Sequence, residues 1–209
     1  MSGGIQWLVD LDNWMSSVVF ARGISARELA LRMGGDEEAV TAPITDAEVW
    51  ELGITLYRPG EDADGVVRVG RHGDWSFAVE YGDSTGHDRL EEISRHGVEA
   101  IHYVPIQEHP PATFFYARDG VFRCGFGLHE EHVRYGEEPD HLLPDLVAGQ
   151  ILDPDGATIL ALEGEPFRDI YRRTLGVLER RFDLSLCPSY LQEARLPAYA
   201  VRGNPTMRL

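Results

Sequence analysis

The sequence predicts an α+β fold: a single domain over residues 1–209, with helices packed on a largely antiparallel sheet. Three observations carry this. Short β-rich segments follow one another across tight turns, where a parallel βαβ sheet would alternate them with helices. Two helix starts carry capping boxes. A chain of 209 residues with 43% hydrophobic and 26% charged residues is long and apolar enough to bury a core of its own.

The elements follow in order. Trp14 to Arg22, WMSSVVFAR, is β-rich and is ended by Gly23. In ISARELALRMGG, Ser25 and Glu28 have capping-box spacing, Ile24 and Leu29 form a hydrophobic staple, and Gly34 stops the helix. ITDAEVWEL repeats the device, with Thr45 and Glu48 as the box and Ile44 and Val49 as the staple. VVRVGR (66–71) and WSFAVEY (75–81) flank a tight turn at His72-Gly73-Asp74. In the second of these strands Trp75, Phe77, Val79 and Tyr81 share one face and Asp74, Ser76 and Glu80 the other, the pattern of a half-buried strand.

A short helix is expected over His87 to Arg95, with Leu90 and Ile93 inward and Gly97 ending it. A strand resumes at Val98 to Val104. From Ala112 to Phe126, Asp119-Gly120 joins FFYAR to VFRCGF, a two-residue loop suited to the primed hairpin turns. From about Pro139 the chain turns helical, with Pro166 as the first position of a helix to about Phe182. Phe167, Ile170, Tyr171, Leu175, Leu178 and Phe182 stripe that helix, and Arg168, Arg172, Arg173, Arg180 and Arg181 lie mostly off the stripe. A last short helix begins at Pro188. The predicted order is β-α-α-β-β-α-β-β-β-α-α.

Formal net charge is −16, and all 19 basic residues are arginine. The charge is unevenly spread: residues 1–165 carry −20 and residues 166–209 carry +4. An acidic body repels phosphate backbones and anionic bilayers, so neither nucleic acid nor membrane is an expected partner; a basic protein would be attracted. No apolar run has the length of a membrane span, and the N-terminus lacks the basic start of a secretory signal. Two cysteines make no disulfide framework, so the expected compartment is the cytoplasm.

Several segments together resemble one known family. FARGIS, ELALRMGG, GDWSFAVEYG, LEEISRHGVEAI, FFYARDGVFRCGFGL, RYGEEPDHL and LGVLERRFDLSLCPSYL, in this order, are similar to an actinobacterial domain-of-unknown-function family, family 6461. The resemblance implies an intracellular α+β domain from a high-GC bacterium. It brings no activity and no catalytic residues.

The stretch CGFGLHEEH, Cys124 to His132, concentrates the chemistry-bearing side chains. A nucleophilic thiol needs a lowered pKa and exposure, which His129 or His132 could promote. Against this, Phe122, Cys124, Phe126 and Leu128 alternate onto one strand face, which makes Cys124 a small core residue. His129 and His132 are three apart, not four as on a zincin helix, and no spacing selects His102, His109 or His141 as further ligands. EDADG (61–65) and DPDG (153–156) read as turns, since Asp and Gly are what tight turns select. Phosphate-loop, dinucleotide and GxSxG signatures are absent. Of Trp50, Trp75, Tyr103, Phe115 and Tyr116, most are assigned to the core ahead of a ligand pocket or an interface.

The function expected is therefore a non-enzymatic intracellular binding protein, immunity- or antitoxin-like, showing an acidic surface to a basic protein, with no cofactor. The alternative is a small hydrolase or transferase using Cys124, or a metal at His129 and His132.

Overall fold

In the computed structural model, residues 3–10, 16–37, 42–56, 65–82, 85–105, 111–160 and 164–202 are described. A 3-10 helix (Gln6–Asp10) precedes β1 (Val18–Arg22), α1 (Ala26–Arg32), α2 (Asp46–Leu56), β2 (Gly65–His72) and β3 (Trp75–Gly82). Next come α3 (Leu90–Ile93), β4 (Glu99–Val104), β5 (Thr113–Arg118) and β6 (Val121–Gly127), then α4 (Leu143–Ala148), α5 (Phe167–Phe182), α6 (Pro188–Glu193) and β7 (Ala198–Val201). The seven strands form one sheet in the order β6-β5-β4-β1-β3-β2-β7. Every neighbouring pair is antiparallel. The expected α+β class with an antiparallel sheet is what the chain adopts.

Local chemistry explains the starts and turns. Ser25 Oγ accepts the Glu28 amide at 3.1 Å, capping α1. At α2 the box is reciprocal: Thr45 N–H donates to Glu48 Oε2 at 2.8 Å and Glu48 N–H to Thr45 Oγ1 at 3.3 Å. Such a cap stabilises a helix by about 1 kcal/mol. Asp119 and Gly120, at φ 53° and 77°, are both left-handed, as a primed two-residue turn requires.

Helices cover both faces of the sheet. On one face α1 and α3 pack Leu29, Ala30, Met33, Leu90 and Ile93 against Val19, Val67, Ala78 and Ala100. The opposite face carries the larger core, where Phe20, Trp75, Phe77, Tyr103, Phe114 and Tyr116 meet Leu175, Leu178 and Phe182 of α5. Trp75, Tyr103, Phe115 and Tyr116 are buried, and Trp50 is 40% exposed.

Several expectations need correction. β3 is buried on both faces, so Ser76 and Glu80 lie in the interior and not on a solvated face. α3 has four residues, shorter than expected. Pro166, at ψ 144°, caps α5 from outside instead of opening it, and Phe167 is 65% exposed instead of joining the core stripe. α4 falls within the segment expected to be helical from about Pro139, whereas β7 and the N-terminal 3-10 helix stand outside the predicted elements. Trp14, His109 and residues 61–64 lie outside the described residues.

Phe122 departs from the predicted face for a definite reason. Tyr116 pairs with Cys124 but Ala117 pairs with Phe122, so Arg123 is a bulge residue. A bulge shifts the alternation by one. Cys124 and Phe126 stay in the large core, while Phe122 crosses to the other face and meets Phe115 at a 6.3 Å ring separation.

Both sheet edges are covered. Along β6, Gly125 and Tyr135 exchange backbone hydrogen bonds at 2.9 and 3.1 Å, and the Glu137 and Glu138 amides donate to Phe122 and Arg123 carbonyls. Along β7, the Asp36 and Arg202 amides bond the Ala200 and Gly34 carbonyls. Covered edges guard against strand addition between chains.

The arginine-rich C-terminal segment is folded onto the acidic body. Arg172 pairs with Asp10 and Asp169, Arg181 with Asp145 at 3.2 Å, and Arg195 with Glu48 at 2.5 Å. Arg173 pairs with Glu165 at 2.9 Å and donates to the Gln150 and Leu160 carbonyls. No helix among the described residues is long and apolar enough to cross a membrane.

Candidate functional site

The CGFGLHEEH stretch turns out to be the end of β6 and the start of a loop, 128–142, that crosses the sheet edge. Cys124 has no exposure at all, and burial, reinforced by the charge of Glu138, pushes its thiol up to about 12. A thiol held that high is essentially un-ionised near neutral pH and makes a poor nucleophile. His132 is exposed and His129 half-buried, and among the described residues no group of three or more His, Cys, Asp or Glu could hold a metal ion. His102 is taken up by Glu80, and His141 Nδ1 lies 3.1 Å from Glu138 Oε2.

The residue of this stretch that the structure singles out is Glu131. Its side chain is fully buried. Oε1 accepts the Thr174 hydroxyl at 2.6 Å and the His129 amide at 3.0 Å, so one carboxylate ties the loop to α5 and closes its own turn. That turn needs His129 at φ 67°. Nothing in the run HEEH distinguishes Glu131 from Glu130; the signal is Thr174, which is 43 residues away.

A second anchor holds the next part of the loop. Arg134, with a side chain 10% exposed, donates to the Glu131 carbonyl at 2.8 Å and the Gly156 carbonyl at 2.9 Å, and pairs with Asp140. At Gly156 the DPDG segment is an ordinary turn. Gly156 N–H bonds the Asp153 carbonyl, and Asp155 accepts the Ala157 and Thr158 amides.

Between these anchors the loop shows its outward residues. Val133 is 58% and Tyr135 47% exposed, large values for apolar and aromatic side chains. Exposed around them are Glu130, Glu137, Glu138 and Asp140. Glu138 pairs with Arg123 and Asp140 with Arg134, whereas Glu130 and Glu137 form no ion pair among the described residues. Tyr135 packs on Phe122 at 5.8 Å and Phe115 at 6.4 Å, and Phe115 on His87 at 4.5 Å. The Phe122 amide donates to Glu91 Oε1 at 3.4 Å, which brings the exposed acids of α3 alongside.

The family model for the family of unknown function DUF6461 matches residues 6–196. The chain belongs to the DUF6461 family. No curated protein and no solved structure matches it. Among the described residues, the match to DUF6461 takes in the whole sheet except β7 and the six α-helices, so the edge loop is part of the DUF6461 domain and not an appendage.

Cys187 is the other thiol of this DUF6461 member, and it differs from Cys124. It is half-buried at the start of α6 and lines an open cleft of about 660 Å³ with Gln6, Trp7 and Glu179. Hydrogen bonds from the Ser189 side chain and then the Tyr190 amide hold its thiol below the usual range.

Proposed function

We propose that this protein is a non-enzymatic, cytoplasmic binding factor of a high-GC bacterium, immunity- or antitoxin-like, whose acidic edge loop docks a basic protein. One observation supports this most: Val133 and Tyr135 stand exposed among Glu130 and Glu137 on a loop whose shape is held by buried anchors. A loop fixed in advance loses little entropy on binding, and exposed apolar tips ringed by charge are typical of interaction sites. The net charge of −16 adds long-range attraction to a basic surface.

The alternative, a hydrolase or transferase using Cys124 or a metal at His129 and His132, has less support, because Cys124 is out of reach of solvent. The test is affinity capture from native-host lysate at low and high salt, with wild type beside a Val133→Ser/Tyr135→Ser variant. A basic protein retained by wild type at low salt only, and lost by the variant, is the expected result. Equal capture by both, or none by wild type, overturns the reading.

A further inference from the structure

We propose that the seam between loop residues 129–131 and helix α5 is a receptor for an organic cation, an ammonium or guanidinium group, received by Glu131. The inference deepens the reading above and rests on it only for the source of the cation, a basic side chain of the partner.

The starting point is an imbalance on one carboxylate. Glu131 Oε1 takes both available donors, and Oε2, equally buried, takes none among the described residues. His129 Nδ1, two residues away on the same loop, is a second buried polar atom without a partner among them. Glu131 Oε2 can only accept, and His129 Nδ1 accepts in one of its tautomers, so the seam has at least one acceptor without a donor among the described residues. Buried acceptors are nearly always satisfied, and one without a donor points to a group that completes it. Glu80, the other carboxylate in the interior among the described residues, has donors on both of its oxygens.

Register along α5 supplies the walls. The His129 ring meets Phe167 edge-on at 5.2 Å, and Glu131 reaches Thr174 at 2.6 Å. Phe167, Tyr171 and Thr174 follow at intervals of four and three, so they share one helix face and Tyr171 lies between the two contact points. The Tyr171 phenol is raised above its ordinary range, first by burial and then by the charges of Glu131 and Glu130, which agrees with carboxylates facing it. Phe167, on the same helix face, is 65% exposed.

A buried carboxylate flanked by aromatic rings favours a cation, through charge and through ring faces. The cation is organic and not a metal ion, since no group of three metal-binding side chains forms among the described residues. An ammonium or guanidinium brings N–H donors to Oε2 and an apolar stem for Phe167 and Tyr171 to cover.

The experiment uses the full chain and two probes: methylguanidinium chloride followed by amide NMR shifts at His129, Glu131 and Thr174, and a tetra-arginine peptide followed by calorimetry. Saturable shifts at those amides are expected. Glu131→Gln keeps the volume and removes the charge, and should weaken binding by about tenfold or more. Phe167→Ala, an exposed change that leaves the core alone, should weaken it several-fold.

A peptide at least about tenfold tighter than methylguanidinium identifies a protein side chain as the source, and equal affinities identify a free small cation. Either supports the receptor. No saturable shift with either probe, or undiminished affinity in both variants, overturns it. Basic-protein capture that depends on Val133 and Tyr135 but ignores Glu131→Gln leaves the docking reading standing without the receptor. Saturable methylguanidinium binding with no captured protein does the reverse.

Discussion

His102 Nε2 lies 3.0 Å from Glu80 Oε2 inside the sheet, and the two side chains link β4 to β3 across the intervening strand β1. Ser17, just ahead of β1, donates to the same oxygen at 2.5 Å. The Thr85 and Gly86 amides hold Oε1 at 2.8 and 2.7 Å, so one carboxylate also secures the approach to α3. A bulky residue is impossible at Gly86, where a Cβ would lie 2.4 Å from Val19 Cγ2 and 3.0 Å from Glu80 Oε2.

Acid should undo this staple. Burial alone would raise the Glu80 pKa, but the His102 ring, the Ser17 hydroxyl and the Gly86 amide outweigh it and hold the group at about 2 against an ordinary 4.5. A depressed carboxylate contributes stability that is full above the unfolded pKa and is lost as pH falls from about 4.5 toward 2, up to about 3 kcal/mol. Chemical denaturation at stepped pH should show that loss in wild type and much less of it in Glu80→Gln, which is itself less stable at neutral pH. An identical acid slope in both proteins would remove Glu80 from this role.

The two thiols should label at very different rates. Cys187, half-buried and lowered, should react quickly with a disulfide reagent near neutral pH, and Cys124, buried and raised to about 12, only on unfolding. Cys187→Ser should abolish the fast phase. Two fast thiols in native protein would mean that β6 opens freely.

Gly136 holds the edge loop against β6. It sits at φ 122°, and a Cβ there would be 2.4 Å from the Arg123 carbonyl oxygen and 3.0 Å from Cys124 Cα, both backbone. Gly136→Ala should therefore cost more than about 2 kcal/mol and detach residues 135–138 from the strand. Faster amide exchange at Gly125 and Tyr135, with a new tendency to aggregate through the bared edge, is the expected signature. Unchanged exchange would refute it.

Arg68 offers a test in the opposite direction. It has no exposure; it donates to the Leu191 carbonyl and lies 3.6 Å from Asp46, while Nε and Nη1 have no hydrogen-bond partner among the described residues. Asp46 keeps its bond from the Tyr81 hydroxyl and is 20% exposed, so removing the guanidinium strands no buried charge. Arg68→Met should be neutral or stabilising by about 1 kcal/mol, read from the denaturation midpoint. A loss well beyond about 2 kcal/mol would show that the ion pair outweighs its desolvation.

Much of the architecture is legible because it is local. Ser25, Thr45 and Glu48 cap the helices they mark, and Asp119-Gly120 makes the turn its dipeptide prefers. What escaped depends on residues far apart in the chain. The alternation through β6 reads cleanly until Arg123, where pairing with β5 inserts a bulge. AYAV is too short to stand out and becomes β7 only by pairing with β2. Ser76 and Glu80 look solvated until α1 and α3 close over them. At the edge loop, acidity and exposure could be read from composition, but the special role of Glu131 is set by Thr174.

The N-terminal 3-10 helix has a consequence for how the molecule is made. Ile5 N–H and Gln6 bond Glu179, and the Trp7 indole bonds the Leu186 carbonyl at 2.7 Å, contacts separated by 174, 173 and 179 positions. β1, near the middle of the sheet, comes early in synthesis, yet the core above it closes only with α5, and the sheet is completed only by β7. During synthesis the α5-facing side of β1 therefore stays uncovered until α5 has left the ribosome, while α1 and α3 can already close the other face. Folding should be slow and close to all-or-none, and a ribosome stalled before α5 would display six of the seven strands with the larger core face bare, an aggregation-prone species instead of a stable intermediate.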